Sequence, residues 1–187
     1  PVWSGLSEHH MALGATLSVD FEAFLAVLRG VAGSLARHGF RRVLLLNSHG
    51  GNIAALKTVV ETLAKERPEL RLVTATHWHL AADLVDQLLD TQRSIRHACE
   101  AETSLVMALR PELVDESRFA EAACPDPRDT GDPVDDGAYR WESFADKTPS
   151  GALGDPRAAS ADKGRRLLDA LAGRLAERLA DPTFWGE

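Results

Sequence analysis

The sequence predicts an α/β fold with a mostly parallel sheet. Three observations predict it. Arg42-Val43-Leu44-Leu45-Leu46-Asn47 is a short unbroken apolar run, helix-period apolar residues precede and follow it, and Leu70-Arg71-Leu72-Val73-Thr74-Ala75-Thr76 is a second β-rich run. Strand, helix and strand in that order make a βαβ unit with a right-handed crossover. The chain has 187 residues, 44% hydrophobic and 26% charged, the balance of an ordinary globular protein. That length fits one domain with its own core.

Each element has its own warrant. Phe21, Phe24, Leu25, Leu28, Val31 and Leu35 recur at helical spacing behind Ser18, the expected N-cap, with Asp20 and Glu22 in the first turn. Arg37-His38-Gly39 supplies the stop, cations and then a glycine suited to a left-handed cap. The run at 42–47 reads as a strand buried on both faces. Ser48-His49-Gly50-Gly51-Asn52 is a polar, glycine-rich turn, and Ile53, Leu56, Val59, Val60 and Leu63 form the next helix, which ends near Pro68. Shorter helices are expected over 80–89 and 98–109, the second stopped by Arg110-Pro111. Residues 123–156 mix prolines and glycines with Tyr139, Trp141 and Phe144 and show no period, so an irregular segment is expected. A final amphipathic helix over 160–179 carries Leu167, Leu168, Leu171, Leu175 and Leu179.

Composition excludes several classes. A net charge of −7 offers no footprint for nucleic acid or an anionic membrane. No apolar run approaches the ~20 residues that span a bilayer. Two cysteines, Cys99 and Cys124, do not make a disulfide scaffold and suit a reducing compartment, so a cytoplasmic location is expected. Residue 1 is proline and its neighbours already read as mid-domain. The chain is therefore expected to be part of a longer polypeptide, with roughly 60–80 further residues on the domain-size prior.

In open α/β sheets ligands bind beyond the carboxyl ends of the strands, and candidate groups lie there. His49 sits between Ser48 and Gly50 directly after the first strand; the turn serves either as a ligand site or as a phosphate cradle, although it lacks the lysine or arginine usual in the latter. Thr76-His77-Trp78-His79 ends the second strand, where His77 and His79 would share a face, and the Trp78 indole offers a stacking surface for a planar substrate. In His97-Ala98-Cys99-Glu100-Ala101-Glu102-Thr103-Ser104, helical spacing puts His97, Glu100 and Ser104 on one face and Glu102 elsewhere unless the helix begins later. Imidazole and carboxylate together suit zinc, manganese or iron. Cys99 reads as a small buried residue. Glu8-His9-His10 is a further polar cluster.

These segments resemble one family. Asn47-Ser48-His49-Gly50-Gly51-Asn52 is similar to the Asn-Gly-His-Gly-Gly-Asn motif of the creatininase family, and residues 97–104 to its His-Ala-Gly-Glu-x-Glu-Thr-Ser motif. The stretch from Glu8 to Ser18 and Gly151-Ala152-Leu153-Gly154-Asp155-Pro156 resemble two further family segments. The resemblance implies a single creatininase-like domain over residues 1–187, a three-layer α/β/α sandwich, lacking the family's N-terminal Glu-Gln-His…Asp segment. It implies a metal-dependent amidohydrolase acting on a small cyclic amide or formamide, with a binuclear zinc, manganese or iron centre, assembled as a homo-oligomer, often a hexamer.

By motif position, His49 would be a metal ligand, Glu100 and Glu102 jointly would supply a further oxygen, and His97 would move a proton or stabilise an oxyanion beside the substrate. Trp78, His10, Ser48 and Gly50 would contact substrate. Creatininase itself has a ligand glutamate where this chain has Gly51, and a Trp-Asp pair where it has Arg93 and Ser94, so creatinine is not the expected substrate. The alternatives are a catalytically incomplete binding or assembly subunit and a metal-free anion-binding module.

Overall fold

The computed structural model describes residues 1–124 and 140–187. The chain forms two compact units, Pro1–His79 with Leu175–Glu187, and Leu80–Arg174.

The first unit is built on the βαβ motif. Helix α1 (Phe21–Arg37) leads to strand β1 (Arg42–Asn47), helix α2 (Ile53–Glu66) and strand β2 (Arg71–Thr76). The two strands are parallel, in register from Arg42 opposite Arg71 to Asn47 opposite Thr76. Phe24, Leu28 and Ala32 of α1 and Leu56, Val59 and Leu63 of α2 pack with Val43 as one core, against which Leu45 and Leu72 also lie. Alternation along β1 puts Val43 and Leu45 on that face. Leu46, on the other, is 47% exposed, so β1 is not buried on both faces as its apolar run suggested. The cap of α1 is Asp20, whose side chain accepts from the Ala23 N–H. Ser18, the residue expected there, instead accepts from the Ser7 N–H through its hydroxyl. Gly39 takes the expected left-handed conformation, φ 87°.

Two further short elements belong to this unit. Residues Glu8–Leu13 form a 3₁₀ helix. The C-terminal turn Pro182–Trp185 brings Glu187 to Arg42 and Arg71 at the starts of both strands. Trp185 is buried, donates to the Leu179 carbonyl at 3.0 Å and lies under the Arg42 guanidinium.

After the helical turn α3 (His77–Leu80), which opens in the first unit, the second unit holds α4 (Ala82–Leu88), α5 (Glu100–Leu109), α6 (Phe119–Ala122), α7 (Phe144–Lys147) and most of α8 (Ala161–Ala180), whose residues from Leu175 belong to the first. Helices α5 and α8 pack closely: a Cβ on Gly164 would stand 1.9 Å from the Ser104 carbonyl oxygen. Ser104 also accepts from the Ser160 N–H at 3.1 Å. Of the irregular segment expected over 123–156, Tyr139 lies outside the described residues. The part after it holds α7 and two isolated bridges, Leu153 to His97 and Gly154 to Cys124. Among the described residues no helix is long and apolar enough to cross a membrane.

Candidate metal centre and catalytic motif

The register of the sheet fixes the first group. Asn47 and Thr76 end the paired strands, and the Asn47 amide donates to the Thr76 hydroxyl at 3.1 Å. Asn47 then brackets His49, accepting from its N–H at 3.1 Å and donating to its carbonyl at 2.9 Å. Asn52 stands at the N-cap of α2 but makes no side-chain cap bond. It accepts from the Leu6 N–H at 2.9 Å and donates to Asn47 at 3.3 Å, tying the N-terminal segment to the turn.

That tie brings three imidazoles together. His9, His10 and His49 each present a ligand atom, all within 4.8 Å of one another. The His9 and His49 rings stack, 5.4 Å apart and 11° from parallel, and His10 stands edge-on to His49 at 5.6 Å. Gly51 makes the arrangement sterically possible. A Cβ there would stand 2.2 Å from the Leu6 carbonyl oxygen, 2.6 Å from a His9 ring carbon and 2.7 Å from His49 Nε2. Ser7 Oγ and the Leu6 carbonyl flank His49 Nε2 at 3.1 and 3.2 Å. Three imidazoles whose ligand atoms converge in this way fit a borderline divalent ion such as zinc. Ser48 and Gly50, on either side of His49, are exposed.

The histidines after β2 are placed differently from the sequence expectation. The strand ends at Thr76 and His77–Leu80 is a helical turn, so His77 and His79 do not share a strand face. Trp78 is 8% exposed and meets both neighbouring rings edge-on, so its indole is no open stacking surface in this structure. Burial and, behind it, the charge of His79 hold His77 below the usual imidazole range.

In the second unit, α5 begins at Glu100 with Cys99 as its N-cap, later than expected. His97 therefore precedes the helix and shares no helical face with Glu100. Ala98 carries the turn at φ 47°, a left-handed conformation costly for alanine and common at functional sites. Glu102 reaches back over this turn. Its carboxylate accepts from the Ala98 N–H at 2.7 Å and stands 3.9 Å from His97 Nδ1. Burial pushes the Glu102 carboxyl above its ordinary range, against the pull of that N–H. Phe144 meets the His97 ring edge-on at 5.1 Å.

Glu100 turns inward and has 0% exposure. It accepts from the Asp90 N–H at 2.9 Å, from the Thr91 N–H at 2.8 Å and from the Thr91 hydroxyl at 2.6 Å, and it pairs with Lys163. As a metal ligand it would have to surrender these partners, so the acid beside His97 is Glu102. Cys99 is fully buried and its thiol is pushed up by that burial, consistent with the small core residue expected. The segment around Gly154 closes on the same motif. The Leu153 N–H donates to the His97 carbonyl at 2.7 Å, and a Cβ on Gly154 would stand 2.6 Å from Cys99 Cβ.

Comparison with known proteins decides the family. The family model described as creatinine amidohydrolase matches residues 1–179. This chain belongs to the creatininase family. It is 28% identical over 182 residues to a mycofactocin precursor peptide peptidase of Mycobacterium ulcerans, covering 96% of this chain and 64% of that protein. It is 27% identical over 176 residues to a creatinine amidohydrolase of Pseudomonas putida, covering 89% and 65%. The chain thus spans less than two thirds of the length of these relatives. A crystal structure described as a putative creatinine amidohydrolase from Bacteroides fragilis matches with a TM-score of 0.79 and 26% identity, over 95% of this chain and 68% of that one. Creatininase structures described as a manganese form and a zinc–zinc form match at TM-scores of 0.69 and 0.70. The fold class is α/β with a parallel sheet, and the three-layer sandwich agrees with these matches.

Proposed function

We propose that this creatininase-family chain serves a metal-dependent hydrolysis of an amide C–N bond, with His49, His9 and His10 as the metal-holding residues. The observation that carries this reading is the convergence of three imidazoles within 4.8 Å, two of them, His9 and His49, packed against the side-chain-free Gly51. When bound there, a divalent ion supplies a nucleophilic water at neutral pH and polarises the carbonyl. Zinc and manganese are the ions named for structures that this chain resembles. The binuclear centre implied by the resemblance would need oxygen donors beyond this all-nitrogen set.

The chain's own residues carry the remaining roles. Asn47 holds the His49 backbone and Asn52 the Leu6 segment in place. Within the second unit, His97, with the Glu102 carboxylate 3.9 Å from its Nδ1, is the residue we assign to proton transfer. Glu100 is structural. The amide is a small cyclic amide, a formamide or a peptide bond, since named relatives act on creatinine and on a peptide. The protein acts as a homo-oligomer.

Metal analysis and turnover separate these roles. His49→Ala and His9→Ala should each deplete bound zinc or manganese. His97→Ala should keep the metal and lower turnover about 100- to 10,000-fold. Full activity and full metal in all three variants would reject the assignment. Gly51 in place of a ligand carboxylate favours a second reading, an incomplete family member acting as a binding subunit; absence of stoichiometric metal in the parent chain would establish it.

A further inference from the structure

The second unit contains a cavity of 390 Å³ lined by His97 and Glu102 together with residues of α5 and of the segment leading into α6. This volume lies in the range of sites for small molecules. Beyond the ionisable pair the lining is mostly apolar, with Val106, Leu113, Val114 and Phe119 among its walls. Val106 and Leu113 are 39% and 67% exposed, so this apolar wall is open to an incoming group. Arg118 stands at the wall, held by an exposed pair with Glu121 at 3.0 Å. Such a pair is weak and exchanges readily for another acceptor.

We propose that this cavity receives an apolar side chain, aliphatic or aromatic, that flanks the bond to be cut in a peptide-like amide, with Arg118 taking a carbonyl or carboxylate of the same ligand. The proposal rests on the reading of His97 as the proton-transfer residue and narrows the substrate class of that site. A bare ring amide would leave most of the apolar wall uncovered. A second protein would need roughly 800 Å² of matching surface per partner, whereas this feature is a concave space of side-chain scale. The strained turn at Ala98 and the His97–Glu102 pair both line that space.

Equilibrium binding to the full chain tests this, with N-acetylphenylalaninamide and N-acetylglycinamide as probes. Titration in the presence of EDTA removes the metal from the measurement. The phenylalanine probe should bind at least tenfold more tightly than the glycine probe. Val106→Asp and, separately, the more exposed Leu113→Asp should erase that preference and leave the glycine probe within twofold. Equal binding of the two probes, or an undiminished preference in both variants, overturns the proposal. Failure of the metal reading shows elsewhere, as absence of zinc binding in a chain that still prefers the apolar probe.

Discussion

Gly51 is the residue on which the candidate metal centre turns. Its missing side chain leaves the space into which His9 and His49 project, and any Cβ would meet the Leu6 carbonyl at 2.2 Å. Gly51→Ala should therefore cost about 1–3 kcal/mol of stability from overpacking. It should also weaken zinc binding at least tenfold, while a surface control such as Lys57→Ala changes neither. Thermal unfolding and a zinc titration on the same sample check both parts. His49 was legible from sequence as a candidate because a histidine between small residues at a strand end marks a position open to a ligand. His9 was not. Adjacent histidines in a polar stretch look like a loop until Asn52 fastens Leu6 beside the turn, a contact across 46 positions that no local pattern encodes. Glu100 and Glu102 illustrate the same limit. Spacing alone could not locate the helix start, and that start decides which acid faces His97 and which faces the interior.

At the scale of elements, periodicity recovered what periodicity controls. Strand β1 has the predicted bounds, α2 starts at Ile53 as predicted and ends at Glu66, two residues before Pro68, and β2 differs by one residue at its start. What sequence did not reveal is how elements are joined by buried charge. Lys163 on α8 pairs with Glu100 on α5 and with Asp90 at 2.8 Å, and donates to the Ala158 carbonyl. Burial alone would push Lys163 down, yet the hydrogen bonds and charges of Asp90 and Glu100 prevail and hold it above its ordinary 10.5. A base raised on folding contributes stability that is complete below pH 10.5 and is lost as pH rises through the folded value. Lys163→Met should remove that alkaline limb. It should also cost about 3–5 kcal/mol at neutral pH, because a fully buried carboxylate loses its counter-charge. Adding Glu100→Gln should recover part of the loss. Denaturant melts at neutral and alkaline pH measure all of these, and a Lys163→Met chain as stable as the parent would show that the pair is dispensable.

Across the whole molecule, chemistry is distributed between two units whose closure is not local in sequence. The first recruits the C-terminus, where Glu187 meets Arg42 and Arg71 at the strand starts. The candidate nitrogen donors His9, His10 and His49 all belong to that unit, and the His97–Glu102 pair belongs to the other. Ligand binding stabilises only the state that binds, by about 2.7 kcal/mol at a free concentration one hundred times the dissociation constant. Zinc at that excess should slow hydrogen exchange about 100-fold at first-unit amides that open with the core, such as those of β1 and α2. Amides of α5 should be slowed far less, and His49→Ala should abolish the difference. Mass spectrometry of exchanged peptides from 42–66 and 100–109 measures it. Uniform slowing would mean that the units open together or that α5 supplies a donor, and Glu102→Gln would separate these cases: it restores fast exchange in α5 only if its carboxylate is a ligand.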